Sequence, residues 1–433
     1  MNRDAEIITF GCRLNIYESE ILKQGVKKGN IKNTSVFNSC AVTSETVRQV
    51  KQSIRKRKRE FPGDKIIVTG CAAQIDPKTF SEMEEVDIVS GNLEKRDINN
   101  LIKKDKPKAK INVSNILENK QNLNSLTDGY DNRSRAFVEI QNGCNHRCTF
   151  CIIPYGRGNS SSKSVKNIIN EINLMLEKGH KEIVLTGVDI ASWGHDLENK
   201  TNLGFLIDKI LKGCPDLKRL KLSSMDVIGF DDQLLEIVSS EKRILPHLHL
   251  SLQAGDNMIL KRMKRRHLRE DAINLCSKIR EKRSDMAFGA DLITGFPTET
   301  DEMFLNTIKI VDECNLDWLH VFPFSPRPGT PAAKMPQNKK ETSKKRAKIL
   351  REKGEKIKKA HLKNLVGKEI EVFVEKNNSG HTNQFAPVKL EDEFLPGTSV
   401  IAKYLSRMII LFMANLIIKG LPNYYLNLLG QRV

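Results

Sequence analysis

"FVEIQNGCNHRCTFCIIPYGRG", residues 137–158, runs a short apolar strand into three cysteines, Cys144, Cys148 and Cys151, followed by a proline and a glycine-rich turn. The spacing is C-x3-C-x2-C. Three thiolates this close in one loop, with Gly143 to make the turn, can hold three corners of a cubane iron–sulfur cluster and leave the fourth iron without a protein ligand. A small molecule is then expected to supply the missing ligand. Zinc in a closed site needs four protein ligands, and His146, the nearest candidate, lies inside the turn, which argues against that metal.

Six strand-like segments lie between residues 135 and 330: "FVEI", "EIVLTG", "RLKLSS", "HLHLSL", "FGADLITG" and "WLHVFPF". Amphipathic helical stretches such as "SVKNIINEINLMLEKG" separate them, and this alternation predicts a parallel sheet curled into a partial barrel with its site on the loops after the strands. The three-cysteine stretch is the first such loop. Upstream, residues 6 to about 100 read strand, helix, strand, helix as a small α/β domain. Its apolar strands end in Cys12, Cys40 and Cys71, with 27 and 30 residues intervening, so the three are placed at the carboxyl edge of one parallel sheet, where open α/β sheets put their sites.

The 433 residues exceed what one core holds and predict two or three domains. Nine cysteines, an odd number, and a first segment without an apolar leader favour metal or thiol chemistry over disulfides. The net charge of +18 makes nucleic acid the first partner to consider. Half of that excess sits in residues 337–363, a helical run with 12 Lys or Arg against 3 Glu. After it, "VGKEIEVFVEKNNSGHTNQFAPVKL" alternates apolar and polar residues around Gly and Asn turns, which predicts a small antiparallel barrel of the kind that holds RNA. Residues 103–134 have linker composition. The last 29 residues contain an apolar run broken by Arg407 and Asn415, too short to span a bilayer and expected as a buried or partner-facing helix.

The three-cysteine loop on a partial barrel is the hallmark of the radical S-adenosylmethionine (SAM) superfamily. Together with "FGCRLNIYESE", "NSCAVT", "TGCAAQ", "LTGVDIASWG", "LHLSLQAGDNMILKRMKR", "GADLITGFPTETDEMF" and "HVFPFSPRPGTPAAKM", it resembles the methylthiotransferases over residues 6 to about 400, and within them the branch acting on threonylcarbamoyladenosine in tRNA. The resemblance implies an α/β fold of three domains with a linker and a tail: an N-terminal small α/β auxiliary-cluster domain over 1–105, a linker over 106–134, a radical SAM partial (β/α)6 barrel over 135–364, a TRAM-like antiparallel barrel over 365–404, and an atypical tail over 405–433. It implies two [4Fe-4S] clusters, one on Cys144, Cys148 and Cys151 that chelates SAM, the other on Cys12, Cys40 and Cys71.

It further implies SAM contacts from Phe150, Ile152, Thr186, Gly187, Ser223 and Gln253, two SAM per turnover, and the tRNA anticodon stem-loop, a flavodoxin- or ferredoxin-type reductant and a sulfur donor as partners, in the cytoplasm and without a membrane. Lys344, Lys345, Arg346 and Lys348 of the basic helix are expected on tRNA phosphates, as is the stretch "RQVKQSIRKRKR" at 48–59. The expected product is a methylthio group at C2 of the adenine at position 37, where an unactivated aromatic C–H calls for radical chemistry. Alternatives are the isopentenyladenosine branch, the branch modifying a ribosomal-protein aspartate, and a non-catalytic iron–sulfur RNA-binding protein. Cys214, Cys276 and Cys314 match no motif and are expected as buried thiols. One departure is Asp226, in "KLSSMDV", where the family carries a glutamate.

Overall fold

The computed structural model describes residues 3–97, 110–119, 123–127, 129–130, 133–405 and 408–410. Its first lobe is a parallel sheet in the order β1 (Glu6–Thr9), β2 (Thr34–Ser39), β3 (Lys65–Gly70), β4 (Ile88–Ser90) and β5 (Ile111–Asn112). The crossovers are helices α1 (Arg13–Lys28), α2 (Ser44–Glu60), and α3 (Cys71–Ile75) with α4 (Pro77–Ser81). The central strand β2 is buried along its whole length, as a parallel strand covered on both faces must be. Part of the stretch expected as a linker is therefore structured: Ile111–Asn112 pairs with β4, and Tyr130 is buried edge-on against Phe137. The boundary expected at 105/106 lies outside the described residues.

The second lobe opens with β6 (Arg135–Glu139) and a short antiparallel ribbon, β7 (Gln141–Asn142) with β8 (Ser161–Ser162), that encloses the three-cysteine loop and helix α5 (Ile153–Arg157). Strands β9 (Glu182–Thr186), β10 (Arg219–Leu222), β11 (His247–Gln253), β12 (Ala287–Thr294) and β13 (Trp318–Pro323) follow. They form parallel sheets β10-β9-β6 and β11-β12-β13, joined by the parallel bridges Leu220 to Ile244 and Met225 to Leu250. The result is an arc of six strands in chain order.

Its crossover helices are α6 (Val165–Glu177), α7 (Leu203–Gly213), α8 (Asp232–Ser240), α9 (Asn257–Arg262) with α10 (Arg269–Lys282), and α11 (Asp301–Glu313). α6 shows why they form. Ser164 caps its first turn by accepting from the Asn167 amide, and Ile168, Ile172 and Met175 recur at helical spacing on one buried stripe. Leu14 and Tyr17 of α1 belong to this barrel core rather than to their own lobe, so the first turn of α1 packs beside β6, the end strand of its sheet.

The chain then runs through the long helix α12 (Lys340–Leu365), packed along β13, into an antiparallel sheet ordered β16-β15-β14-β17-β18. These strands are β14 (Glu369–Val374), β15 (Ser379–Thr382), β16 (Pro387–Lys389), β17 (Ser399–Leu405) and β18 (Met408–Ile410). The atypical tail thus begins as a strand, with Tyr404 paired to Ile409 and not a helix at that point. Residues 411–433, where a buried or partner-facing helix was expected, lie outside the described residues. Among the described residues no helix is long and apolar enough to cross a membrane.

Candidate active site

Both groups of cysteines sit at carboxyl ends of strands, and the short helix that follows the barrel loop meets Cys71 at the junction of the two lobes. Cys12 precedes α1, Cys40 follows β2 and Cys71 opens α3. Gly11, at φ +93°, lets the first loop pass Cys40; a Cβ there would come within 2.6 Å of the Cys40 Sγ. Burial pushes the Cys40 thiol up to about 11, with Cys71 and Cys12 adding to the effect. Cys12 opens onto the cleft, yet the surrounding protein raises its thiol as well, against the pull of Arg157.

The barrel cysteines are organised by local backbone. Gly143 adopts φ +69° where a Cβ would lie 2.0 Å from the Asn159 carbonyl oxygen, the Cys144 amide donates to the Gly158 carbonyl at 3.0 Å, and the Cys151 amide donates to Cys148 at 3.0 Å. Thr149 ties the loop to the far side of the barrel through Arg262 and Met263. Burial pushes Cys144 up to about 12, helped by Asp189, and Cys151 up to about 11. Arg265 reaches from Asp226 (3.2 Å) to the Cys148 Sγ (3.7 Å). Asp226 itself is buried, and although burial opposes its charge, His267, Arg265 and Arg266 hold its carboxyl well below the usual carboxylate range. The shorter carboxylate at 226 therefore still serves as the anchor of Arg265.

His146 is not left idle inside the turn. Its Nε2 lies 2.6 Å from the Asp189 carboxylate and 2.8 Å from the Arg266 guanidinium, so that nitrogen is engaged, although Cys144, His146 and Asp189 bring ligand atoms within 4.8 Å of one another.

The two groups are joined by a residue to which the sequence reading gave no role. Arg157, 1% exposed, donates from Nε to the Cys71 Sγ at 3.0 Å and from its two terminal nitrogens to Glu18 and Asn15 of α1. Lys95 completes the cluster, 2.6 Å from both Glu18 and Asn92. Burial would raise Glu18, but Arg157 and Lys95 override it and bring the carboxyl down to about 2. At Gly156 a Cβ would stand 3.3 Å from the Cys71 Cβ, so the lobes touch at the cysteine itself. The signal was available in "NIYESE" and "YGRG": Asn15 and Glu18, three apart, fall on the same helical face as the core residues Leu14 and Tyr17, and a polar pair on a buried face asks for a partner.

The residues expected to contact SAM divide. Thr186, Gly187, Ser223 and Gln253 lie at the carboxyl ends of β9, β10 and β11, on the same edge as the cysteine loop. Phe150 packs with Ile259, Met263 and Phe296 under that loop, and Ile152 is buried in the core of the first lobe beside Cys71. Lys344, Lys345 and Lys348 are exposed on α12. Arg346 is not: it is 6% exposed and paired with Glu299 and Asp301 at 2.7 Å each, because it falls on the α12 stripe with Ala347 and Leu350 that faces the barrel. The expectation that Arg346 meets tRNA is corrected accordingly. In α2, Arg48, Arg55, Lys56 and Arg59 are exposed, whereas Arg57 is spent on Glu6 and Ser35. Cys214, Cys276 and Cys314 are buried.

Residues 138–311 match the radical SAM superfamily and residues 4–91 the uncharacterized protein family UPF0004. The chain is similar to the threonylcarbamoyladenosine tRNA methylthiotransferase MtaB of Rickettsia prowazekii, 48% identical over 90% of this chain and 92% of that protein. It is 32% identical to the tRNA-2-methylthio-N(6)-dimethylallyladenosine synthase of Ehrlichia chaffeensis over 76% of this chain and 78% of that one. In fold it is similar to the radical SAM methyltransferase TsrM from Kitasatospora setae, solved with cobalamin and a [4Fe-4S] cluster, at TM-score 0.58 and 13% identity over 77% of each chain. A radical SAM domain works with a [4Fe-4S] cluster and SAM, and its cysteine loop here lies against the cysteine-bearing edge of a second lobe. The chain belongs to the radical SAM methylthiotransferases of the MtaB type.

Proposed function

We propose that the protein adds a methylthio group to C2 of N6-threonylcarbamoyladenosine at position 37 of tRNA, with Cys144, Cys148 and Cys151 holding the SAM-binding [4Fe-4S] cluster and Cys12, Cys40 and Cys71 holding a second. The observation that carries this reading is the contact of Gly156 and Arg157, which follow the barrel's cysteine loop, with Cys71 of the other group. The thiols fit such groups. Each set leaves one corner for an outside ligand, and each has a guanidinium within reach of a sulfur, Arg157 at Cys71 and Arg265 at Cys148, to offset the negative charge of three thiolates around iron. When bound, the clusters and two SAM supply the radical that opens the C2–H bond and the sulfur and methyl group that replace the hydrogen.

The chain's own part is positional. Asp226 fixes Arg265, Glu18 and Asn15 fix Arg157, and the buried Glu18–Lys95–Arg157 group sets the spacing of the lobes so that one adenine can meet both. The exposed face of α12 and the antiparallel sheet after it, read as TRAM-like, offer the tRNA its phosphate contacts. A flavodoxin- or ferredoxin-type reductant and a sulfur donor complete the requirements, and tRNA as substrate puts the reaction in the cytoplasm. Threonylcarbamoyladenosine is preferred over isopentenyladenosine by the names of the two relatives, at 48% and 32% identity. Mass spectrometry of nucleosides from tRNA of cells with and without the gene tests this. Loss of the 2-methylthio derivative of threonylcarbamoyladenosine with retention of its precursor is expected; loss of the isopentenyl counterpart instead would overturn the substrate.

A further inference from the structure

Arg13 is the first residue of α1, directly after Cys12. The next residues of that turn, Leu14 and Tyr17, belong to the barrel's core cluster and α1 packs along β6, so the backbone of Arg13 is held at the edge of the barrel beside that strand. The other arginines of this region are committed. Arg157 serves Glu18, Asn15 and Cys71; Arg265 serves Asp226 and the Ser251 carbonyl; Arg135 pairs with Glu375 at 2.6 Å; Arg219 pairs with Glu182 at 3.0 Å. Arg13 is half-buried and has no hydrogen-bond or ion-pair partner among the described residues. The charged groups in its surroundings are Arg135 and Glu182 at the starts of the barrel strands β6 and β9, Asp291 on β12, and Cys12 beside it.

A guanidinium offers five donors in a planar fork shaped for a carboxylate, and leaving it half-buried and unmatched is unfavourable, so its position calls for an anion that arrives with the substrate. The backbone phosphates of tRNA do not suit: they meet the outer surface, where exposed lysines are abundant. The threonylcarbamoyl group suits. It ends in a free carboxylate, hangs from the same ring as C2, and must enter the barrel with the adenine. Resting on the substrate reading above, we infer that Arg13 binds the carboxylate of the threonylcarbamoyl side chain and is the residue that makes the site specific for this anionic adenosine over adenosines with neutral N6 substituents.

The test compares two anticodon stem-loops, one carrying threonylcarbamoyladenosine at position 37 and one carrying its neutral carboxamide, with wild-type holoenzyme, Arg13→Gln and Arg13→Lys. Methylthio formation (kcat/KM) and stem-loop affinity by fluorescence anisotropy are read for both. Wild type is expected to favour the acid over the amide by about 100-fold in kcat/KM, the scale of one charge-assisted bidentate contact. Arg13→Gln should bring that ratio close to one, and Arg13→Lys should keep part of it. The ratio is taken within one protein, so a variant that folds or loads less well still gives an answer. An unchanged ratio in Arg13→Gln, or equal loss on both stem-loops, would overturn the assignment and leave Arg13 acting on the neighbouring cysteines alone. A wild type inactive on the acid stem-loop is a separate result, which removes the substrate reading itself and this assignment with it.

Discussion

The two cysteine triads hold the same number of thiols and are built in opposite ways. The barrel triad is local: eight consecutive residues, one positive-φ glycine and a two-stranded ribbon bring Cys144, Cys148 and Cys151 together with backbone hydrogen bonds made inside the loop. The N-terminal triad is assembled from three strand ends and is finished by Arg157, which belongs to the other lobe. A site made by one loop depends on that loop; a site made by tertiary structure depends on everything that keeps the strands in register and the lobes docked. The first should therefore be lost only by changing its own ligands, whereas the second should be lost from a distance.

The largest effect comes from the ligands themselves. Changing Cys144, Cys148 and Cys151 together to Ala should abolish SAM cleavage, read as 5′-deoxyadenosine, and leave about half of the reconstituted iron, roughly four of eight atoms, because the other triad retains its own cubane. Cys12→Ala should do the converse: SAM cleavage persists while the methylthio product disappears. If Cys12→Ala lost SAM cleavage together with the methylthio product, or if the triple variant lost all of its iron, the triads would not be separate sites.

The distance argument is sharpened at Arg157. Arg157→Met keeps the bulk but removes one of the two cationic partners of Glu18 and the donor to Cys71, and breaking a buried ion group from one side costs up to about 3–5 kcal/mol. Thermal melting should fall accordingly, and iron should be lost from the N-terminal triad while the barrel triad keeps its share. Equal iron loss from both would mean that Arg157 serves the cysteine loop it follows rather than the junction.

How much of this was legible in the sequence follows the same division. The C-x3-C-x2-C loop could be read as a site because its ligands share one turn, and the six barrel strands could be read because each is a short apolar run between helical stretches. The convergence of Cys12, Cys40 and Cys71 followed from a topological rule, that parallel strands present their carboxyl ends on one edge. Arg157, Glu18 and Lys95 could not be paired from sequence, since their separations of 62 to 139 residues carry no periodicity that links them. Arg346 failed for a related reason: charge composition marks a helix as basic, but only the phase of Ala347 and Leu350 tells which of its cations turns inward to Glu299.

A change of pH probes the junction more gently. Glu18 is held at about 2 in the folded protein, against the ordinary glutamate value of about 4.3 in an unfolded chain. A depressed carboxyl contributes stability that is complete above the unfolded value and is lost as pH falls through that value toward 2, a few kcal/mol in all for this pair of values. Urea melts of the apo protein between pH 5 and pH 3 should show that loss, and Glu18→Gln should flatten the profile in this window while lowering stability at neutral pH. A variant with the same slope as wild type would place the acid sensitivity elsewhere, with Glu182 at the barrel's contact with His381 the next carboxyl to examine.

The smallest effect is expected far from either triad, on α12. Lys344, Lys345 and Lys348 are exposed, and replacing all three by Gln should weaken tRNA binding and lower the slope of log K against log salt by up to about one unit per lost phosphate contact, at most about three. Arg346 must be left out of the set, because its pairing with Glu299 and Asp301 makes it part of the barrel's packing and its loss would blur a binding effect with an unfolding one. Since none of the three lysines touches a cysteine loop, iron content and SAM cleavage without tRNA should be unchanged. An unaltered salt slope would take α12 out of the interface, leaving the exposed face of α2, with Arg48, Arg55, Lys56 and Arg59, to account for phosphate binding on the first lobe and the antiparallel sheet for the rest.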